Sequence, residues 1–487
     1  METIYLKTVD PVSQHLLRLA AQRGIELPWE RYERLQPQDG FMRLGLSCPF
    51  ECMHGPCRVD PFGRGPASGI CGLGRDEMVA AMLLRLCQRG AMEALSAVPW
   101  CNGEQGIRYS GSLGKLIGQV LSGSGQSELS CAEIVTASEQ LQRPSCSYED
   151  LLLQALRLGL LVLGLVEQAG QPTTVESLPC RSGYGVIADG RIRIGFAGQP
   201  PEGLISALQE EAQGAEAAVA LLALGEWLTL NDGFMPIGTT SGESELLLSS
   251  GAIHLLVAGR GTDPGIVQLC GRMNIPVVTN GSVAETADMV KRARDYAEQS
   301  SLPDPFVDIP AGIPHDVIMS ETAFSKILTG ESAGMVGLVG GSDSLHLPLG
   351  RLPAELASKL GGNGIKVAGW GDAALWMARQ GDGSSTPMIL ENQQGPLLAV
   401  KGLAQAGRLD ALRGICFTGM RRCQEFSLAL GLAYIGCRVS IATPIPIQGS
   451  RAVMNALDQM LQQSNGQLLH FDHPATSEIL SEWFTKP

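Results

Sequence analysis

Residues 191–212 read RIRIGFAGQPPEGLISALQEEA: a short apolar run, a glycine- and proline-bearing turn, then apolar residues at helical spacing. The same texture returns in AIHLLVAGRGTDPGIVQLCG (252–271), GMVGLVGGSDS (334–344), IKVAGWGDAALWMARQG (365–381) and LRGICFTGMRRCQEFSLALGLAYIG (412–436). Repeated strand, glycine turn and helix predict parallel sheets joined by right-handed crossovers. The predicted class is α/β. In open parallel sheets ligands sit beyond the carboxyl ends of the strands, so the glycine turns are where a site is expected. Sixty glycines in 487 residues and an aromatic content of 5% fit many tight strand-to-helix turns, against an ordinary glycine frequency of about 7%.

Upstream the pattern is helical. Residues 10–36 carry Val12, Leu16, Leu17, Leu19 and Ala20 on one stripe, RDEMVAAMLLRLCQRGAMEAL starts at Arg75 with acids in its first turn, and a further helix is expected over Tyr148–Glu167. The texture changes after Gln171-Pro172. Three domains are expected: a helical one over 1–175 and Rossmann-like ones over 176–316 and 317–487, with DIPAGIPHD (308–316) as a linker. A hydrophobic content of 44% with 17% charge describes a globular chain. A net charge of −13 argues against nucleic acid or an anionic membrane as the main partner. The most apolar run, Leu151–Val166, is broken by Gln154 and Arg157 and falls short of a membrane span. The first residues hold no apolar core of signal-peptide length, and a cytoplasmic location is expected.

Four of the thirteen cysteines fall in SCPFECMHGPCRVDPFGRGPASGICGLG (47–74), at Cys48, Cys52, Cys57 and Cys71. A loop rich in glycine and proline can fold back so that several sulfurs converge. Four thiolates fit zinc or a [4Fe–4S] cluster. Zinc knuckles pair closely spaced CxxC units, whereas these cysteines are spaced x3, x4 and x13, which suits the larger cluster. His54, inside the loop, is expected to donate a hydrogen bond to a cluster sulfur. The cysteines outside the loop show no repeating pattern and fit a reducing compartment better than a disulfide framework.

The run SCPFECMHGPCR followed by GICGLGRDEMVAAMLLR resembles the cluster-binding start of the anaerobic nickel–iron carbon monoxide dehydrogenases. SGESELLLSSGAIHLLVAGRGTDPGIVQLCGRMNIPVVTN, the three later glycine turns and PIPIQGSRAVMNALDQML follow that family in order, so the resemblance covers most of the chain. It implies a helical domain and two Rossmann-like domains, the fold shared with hybrid-cluster proteins. The departures are specific. The intersubunit cluster of the family would need a cysteine near Gly40, and none exists there. Cys48 stands nine residues before Cys57, where eight is the family's spacing for the remaining cubane, with Pro49 in that place. The active-site histidine falls on Gly198 or Gln199, and the active-site cysteines fall on Gly261, Gly341, Trp370 or Gly371, and Arg421, with Cys423 two residues on. The proton-handling histidine and lysine fall near Ala94 and Phe426. Glycines cannot complete the coordination of sulfide-bridged iron, so CO oxidation is not expected.

Other readings compete for the same residues. Trp370 and Arg421 either pack and pair structurally or, with Arg422 and loop amides, form an anion site. Gly369-x-Gly371-x-x-Ala374 with Glu391 twenty residues on copies the dinucleotide fingerprint, yet Trp370 and Asp372 would crowd or repel phosphate. Cys270, Cys416 and Cys423 are read as core residues ahead of metal ligands, as is Cys87. Glu226 and Trp227 are placed at the interdomain cleft. The main expectation is a carbon monoxide dehydrogenase-like protein with one [4Fe–4S] cluster, serving electron transfer or structure in a redox complex. Its partners would be a second copy, or a ferredoxin-like or flavin protein, with no nucleic acid and no membrane insertion. An open, apolar, acid-rimmed surface near Cys57 would favour that role. The alternatives are an oxidoreductase using a nucleotide or anion in the cleft, with the turns at Gly259, Gly340, Gly369 and Arg421, or retained CO chemistry.

Overall fold

The computed structural model describes residues 6–35, 48–50, 52–55, 57–60, 65–98, 107, 109, 111–123, 129–142, 147–170, 175–187, 191–201, 203–214, 218–225, 229–230, 233–279, 281–300, 306, 309, 311–329, 334–380, 387–445, 449–471 and 473–486. The first third is helical: α1 (Pro11–Gln22), α2 (Pro28–Leu35), α3 (Arg75–Ala97), α4 (Gly111–Gly123), α5 (Ala132–Gln142) and α6 (Tyr148–Ala169). The rest alternates. Its strands are β1 (Ser177–Ser182), β2 (Ile192–Ala197), β3 (Val219–Gly225), β4 (Thr229–Leu230), β5 (Gly233–Phe234), β6 (Ile237–Thr240), β7 (Leu255–Ala258), β8 (Val277–Thr279), β9 (Ile313–Ile318), β10 (Val336–Gly341), β11 (Lys366–Trp370), β12 (Met388–Leu390), β13 (Leu412–Gly419), β14 (Arg438–Ile441) and β15 (Gln467–Leu469). Its helices are α7 (Leu204–Gly214), α8 (Ser244–Ser250), α9 (Pro264–Met273), α10 (Thr286–Gln299), α11 (Glu321–Thr329), α12 (Arg351–Gly362), α13 (Gly371–Gln380), α14 (Pro396–Gln405), α15 (Cys423–Tyr434), α16 (Arg451–Gln462) and α17 (Ser477–Thr485).

Thirteen strands form one sheet in the order β15-β14-β13-β10-β11-β12-β9-β1-β6-β3-β2-β7-β8. The β1–β9 seam is antiparallel, and the described pairings on either side of it are parallel. Here the structure differs from the expected division. The boundary at 316/317 falls inside β9, and residues 313–316 of the expected linker pair with β1, Ile313 opposite Ser182 and Asp316 opposite Pro179. The two Rossmann-like halves therefore share a sheet. Strands such as β2 and β10 are buried along their whole length, as crossover helices cover both faces.

The N-terminal helices do not form one body. α1 and α2 pack on the middle of the chain, where Leu16, Ala20, Leu27 and Trp29 share a core with Leu222, Leu247, Ile253 and Trp376. The helical layer is instead α3 and α6 with α15 from the last third, and its core runs from Phe50 through Leu84 and Leu161 to Leu430. These three helices meet backbone to backbone. A Cβ on Gly90 would stand 2.4 Å from the Cys423 carbonyl, and one on Gly159 would stand 2.8 Å from the Gly431 nitrogen. α6 is apolar all round because it is buried all round. The two polar residues that break its run are held by α5: Arg157 Nε lies 2.8 Å from Glu133 Oε2, and Gln154 Nε2 donates to the Glu133 carbonyl at 3.0 Å. Among the described residues no helix is long and apolar enough to cross a membrane.

Candidate functional site

The cysteine loop lies against the start of α3. Gly74 caps that helix, with its N–H donating to Glu77 Oε2 at 2.9 Å, and Arg85 reaches back to the Pro49 carbonyl at 2.7 Å. The Cys48 N–H donates to the Cys57 carbonyl at 2.8 Å, and the Gly55 N–H to the Cys52 carbonyl at 3.0 Å. Ile70, beside Cys71, aims its N–H at Cys57 Sγ at 3.4 Å. A Cβ on Gly55 would stand 3.5 Å from Cys52 Sγ, and one on Gly69 3.4 Å from Cys57 Sγ. Burial pushes the Cys48 thiol up from its ordinary value, the Phe50 N–H opposes that, and the charges of Cys57, Cys71 and Cys52 add to the rise. Cys52, Cys57 and Cys71 thus lie near enough to Cys48 for their charges to act on it. Among the described residues no three His, Cys, Asp or Glu side chains close tightly enough to hold a single ion. A cubane is ligated at separate corner irons, so its thiolates stand further apart than ligands of one ion. Four thiols, a backbone N–H on one sulfur and glycines where side chains would intrude fit that group. Cys48 is buried, Cys57 half-buried, and Cys52, Cys71 and His54 are exposed. Among the described residues of 52–77 the exposed charged side chains are Arg58 and Arg75, with Asp60, Asp76 and Glu77 part-exposed.

The second region lies beyond the strand ends. The twisted sheet brings the turns of its two halves face to face. Arg421, after β13, pairs with Asp263, after β7, at 2.7 Å, and the Arg422 guanidinium lies 4.0 Å from where a Gly261 Cβ would stand. Gly198, at the end of β2, joins this group through the Gln199–Arg260 bridge. Gly261, Gly341 and Gly371 have φ of 81°, 104° and 67°, a backbone region that side-chain-bearing residues avoid. A Cβ on Gly341 would stand 2.4 Å from the Gly419 carbonyl. Trp370 is 3% exposed, edge-on to Phe417 at 5.1 Å between centroids, and occupies the space between Gly340 and Gly395.

The backbone N–H groups of Arg421 and Arg422 already donate to Glu425, whose carboxyl burial pushes up. Those amides and the Arg421 side chain are engaged within the protein, leaving little of the proposed anion site. The fingerprint turn is closed too. A Cβ on Gly371 would stand 2.8 Å from the Gly341 carbonyl, Asp372 is buried at the head of α13, and Glu391 accepts from the Gln393 and Gln394 N–H groups. Cys270 and Cys416 lie in different cores, and burial pushes each thiol up to about 12. Cys423, half-buried, sits beside Glu93 and Arg89. Cys87 is fully buried. Ala94 and Phe426 are core residues. Gly40, Glu226 and Trp227 lie outside the described residues.

Solved structures with this architecture cover nearly the whole chain. Carbon monoxide dehydrogenase IV from Carboxydothermus hydrogenoformans aligns over 98% of both chains, with a TM-score of 0.78 and 18% identity. A Ni-free carbon monoxide dehydrogenase from Thermococcus sp. AM4 aligns over 99% of this chain and 98% of that one, with the same TM-score and identity. In sequence, carbon monoxide dehydrogenase 1 of Methanosarcina mazei is 48% identical over 90 residues, which is 18% of this chain and 14% of that protein. Over that stretch the chain is similar to the carbon monoxide dehydrogenases, whose fold it shares. Carbon monoxide dehydrogenase 1 of Carboxydothermus hydrogenoformans is 49% identical over 84 residues, 17% of this chain and 13% of that protein, so the matched stretches span a small part of these relatives. No protein-family model matches the chain.

A further feature of the chain lies outside its sequence motifs. A buried polar seam joins the two halves. Asp343 accepts from the Gly242 N–H at 3.1 Å, from Trp376 Nε1 at 2.8 Å and from Thr240 Oγ1. Asp372 accepts from the Ser241 N–H at 3.0 Å, the Asp343 N–H at 2.9 Å and Ser241 Oγ. Arg379 pairs with Glu243 at 2.7 Å, both buried. The signal available was acids standing just after glycine turns, in SGES, GGSDS and GWGDAA.

Proposed function

We propose that the chain is a carbon monoxide dehydrogenase-like iron–sulfur protein that holds one [4Fe–4S] cluster on Cys48, Cys52, Cys57 and Cys71 and does not oxidise CO. Its role is electron transfer or structure within a redox complex. The observation that carries this is the contrast between the two regions. One loop gathers four thiols, while the strand-end positions carry Gly198, Gly261, Gly341, Trp370 and Arg421, none of which offers thiolate or imidazole to iron. The buried Trp370 ring fills the space between Gly340 and Gly395. A cubane supplies one-electron exchange, without a substrate-binding metal. The chain's own part is to hold the sulfurs, to place the Ile70 N–H on Cys57 Sγ, and to leave Cys52 and Cys71 at the surface within reach of a partner.

The test is iron, nickel and acid-labile sulfide analysis with EPR on protein purified anaerobically. About four irons and four sulfides per chain without nickel, with the reduced-cluster signal abolished by Cys57→Ser, supports the reading. Stoichiometric nickel, or about eight or more irons, refutes it in favour of a working CO site. Iron-free protein refutes the cluster.

A further inference from the structure

We propose that the seam between the two halves of the sheet carries a binding site for a small monovalent anion, of halide type, held by Arg379. The Arg379 side chain is 4% exposed and stands near the end of α13. Its Nη1 donates to Glu243 Oε2 at 2.7 Å, while its buried Nε and Nη2 have no hydrogen-bond partner among the described residues. The Nε–H and one Nη2–H lie along one edge of the planar guanidinium and point the same way, the arrangement that takes an anion side-on. Leaving buried donors of a charged group without acceptors costs more than leaving neutral ones. Gly183 passes on the side of that edge. A Cβ there would lie 3.4 Å from Nε and 3.8 Å from Nη2, and the three atoms nearest to it outside the adjoining residues all belong to Arg379. The missing side chain leaves room beside the fork, and the Trp376 ring, 5.1 Å from Arg379 Cζ, adds an apolar wall.

The neighbours choose the occupant. The Glu243 oxygens already accept from Arg379, the Ser13 hydroxyl and the Thr240 N–H. Ser13 gives its proton to Glu243, so the Tyr184 hydroxyl donates to Ser13 at 2.9 Å. A water at the fork would have to place two protons of its own where the carboxylate is taken, whereas a halide accepts N–H groups and donates nothing. Glu243 cancels one unit of charge and Asp10 acts on Arg379 as a second negative group, which sets the limit at a single negative charge on the ligand. Gly183 and Glu243 belong to the first half of the sheet and Arg379 to the second, so the bound anion would tie the seam. The inference does not depend on the cluster reading.

The experiment uses the full-length, anaerobically purified protein. Thermal unfolding is followed by circular dichroism in sodium chloride or sodium bromide, with ionic strength held constant by sodium gluconate. Each halide raises the midpoint, by roughly 1 °C or more for each tenfold in concentration above half-saturation, and gluconate alone does not. Crystals soaked in sodium bromide show an anomalous bromine peak within hydrogen-bond reach of Arg379 Nε and Nη2. Arg379→Lys keeps a cation for Glu243 but removes the fork, and the halide effect disappears. Glu243→Gln removes the opposing charge, and half of the effect is reached at a halide concentration at least tenfold lower. A midpoint indifferent to halide in both the native chain and Glu243→Gln overturns the proposal. So does a halide effect that survives in Arg379→Lys, which would place the ion elsewhere. An ordered water at the fork without bromine signal overturns it as well.

Discussion

Trp370 and Gly340 form a pair whose energies are predicted to depend on each other strongly. Gly340 pairs with Trp370 across β10 and β11, and a Cβ built on it would lie 2.0 Å from Trp370 Cδ2 and 2.2 Å from Cε3. Gly340→Ala alone forces the indole off its site, at a cost of about 1–3 kcal/mol. Trp370→Ala alone removes a ring that is 3% exposed and edge-on to Phe417, at a cost of about 3–5 kcal/mol. In the double variant the clash has no partner, and the new methyl fills part of the cavity, worth about 0.8 kcal/mol. The double variant is then expected to be no less stable than Trp370→Ala, a coupling of at least ~1 kcal/mol. Urea unfolding followed by far-UV circular dichroism gives the four stabilities. Strict additivity would mean the ring is not seated against Gly340. A loss below about 1 kcal/mol for Trp370→Ala would mean it is not buried at the strand ends at all.

Further outcomes follow from other contacts. Gly90→Ala puts a methyl 2.2 Å from Ser427 Oγ and 2.4 Å from the Cys423 carbonyl; it should cost roughly 2–3 kcal/mol, and adding Ser427→Ala should recover only part, since the second obstacle is backbone. Arg157→Met strands the Glu133 carboxylate and should cost about 3 kcal/mol, read as a lowered urea midpoint. Burial alone would raise the Glu133 carboxyl, but hydrogen bonds from Arg157 and Gln154 hold it below its ordinary value, so the stability this pair gives is present at neutral pH and is lost as pH falls below about 4. Asp343 has the opposite sign. Burial first, then the charge of Asp372, push its carboxyl up to about 8. The unfolded carboxyl ionises near pH 3.9, so over the window from about 4 to 8 the folded state keeps a proton that the unfolded state has lost, and stability falls as pH rises. Asp372→Asn should move that fall to lower pH in urea titrations; an unshifted profile would remove Asp372 as a cause.

The strand–turn–helix rhythm was legible because glycine turns after apolar runs are a local signal. Helices over 75–97 and 148–169 follow the expected ones closely. The single sheet was not legible. Its seam runs through SLPCRS and IPHDVI, where Pro179 and Pro314 lack a donor, and residues 313–316 of the latter read as linker. The apolar stripe of α1 announced a buried face without naming its partner, which proved to be the middle of the chain. In the site, the cysteines announced themselves by type and spacing. The buried acids did not, because Ser241 and Asp372 are 131 residues apart and only the fold makes them neighbours.

Two Rossmann-like units on a tether can open and close like jaws around whatever lies between them. A sheet that runs unbroken through β9 and β1 has no such joint, and the Asp343, Asp372 and Glu243 contacts bolt its two wings together. The strand-end turns are therefore held at fixed spacing rather than moved by domain swing. The helical layer meets those turns at the end of α3, where Arg260 Nη1 donates to the Ser96 carbonyl at 2.8 Å. On so rigid a slab the contacts between turns and helices are made side chain by side chain, and Arg260→Ala would remove this one outright.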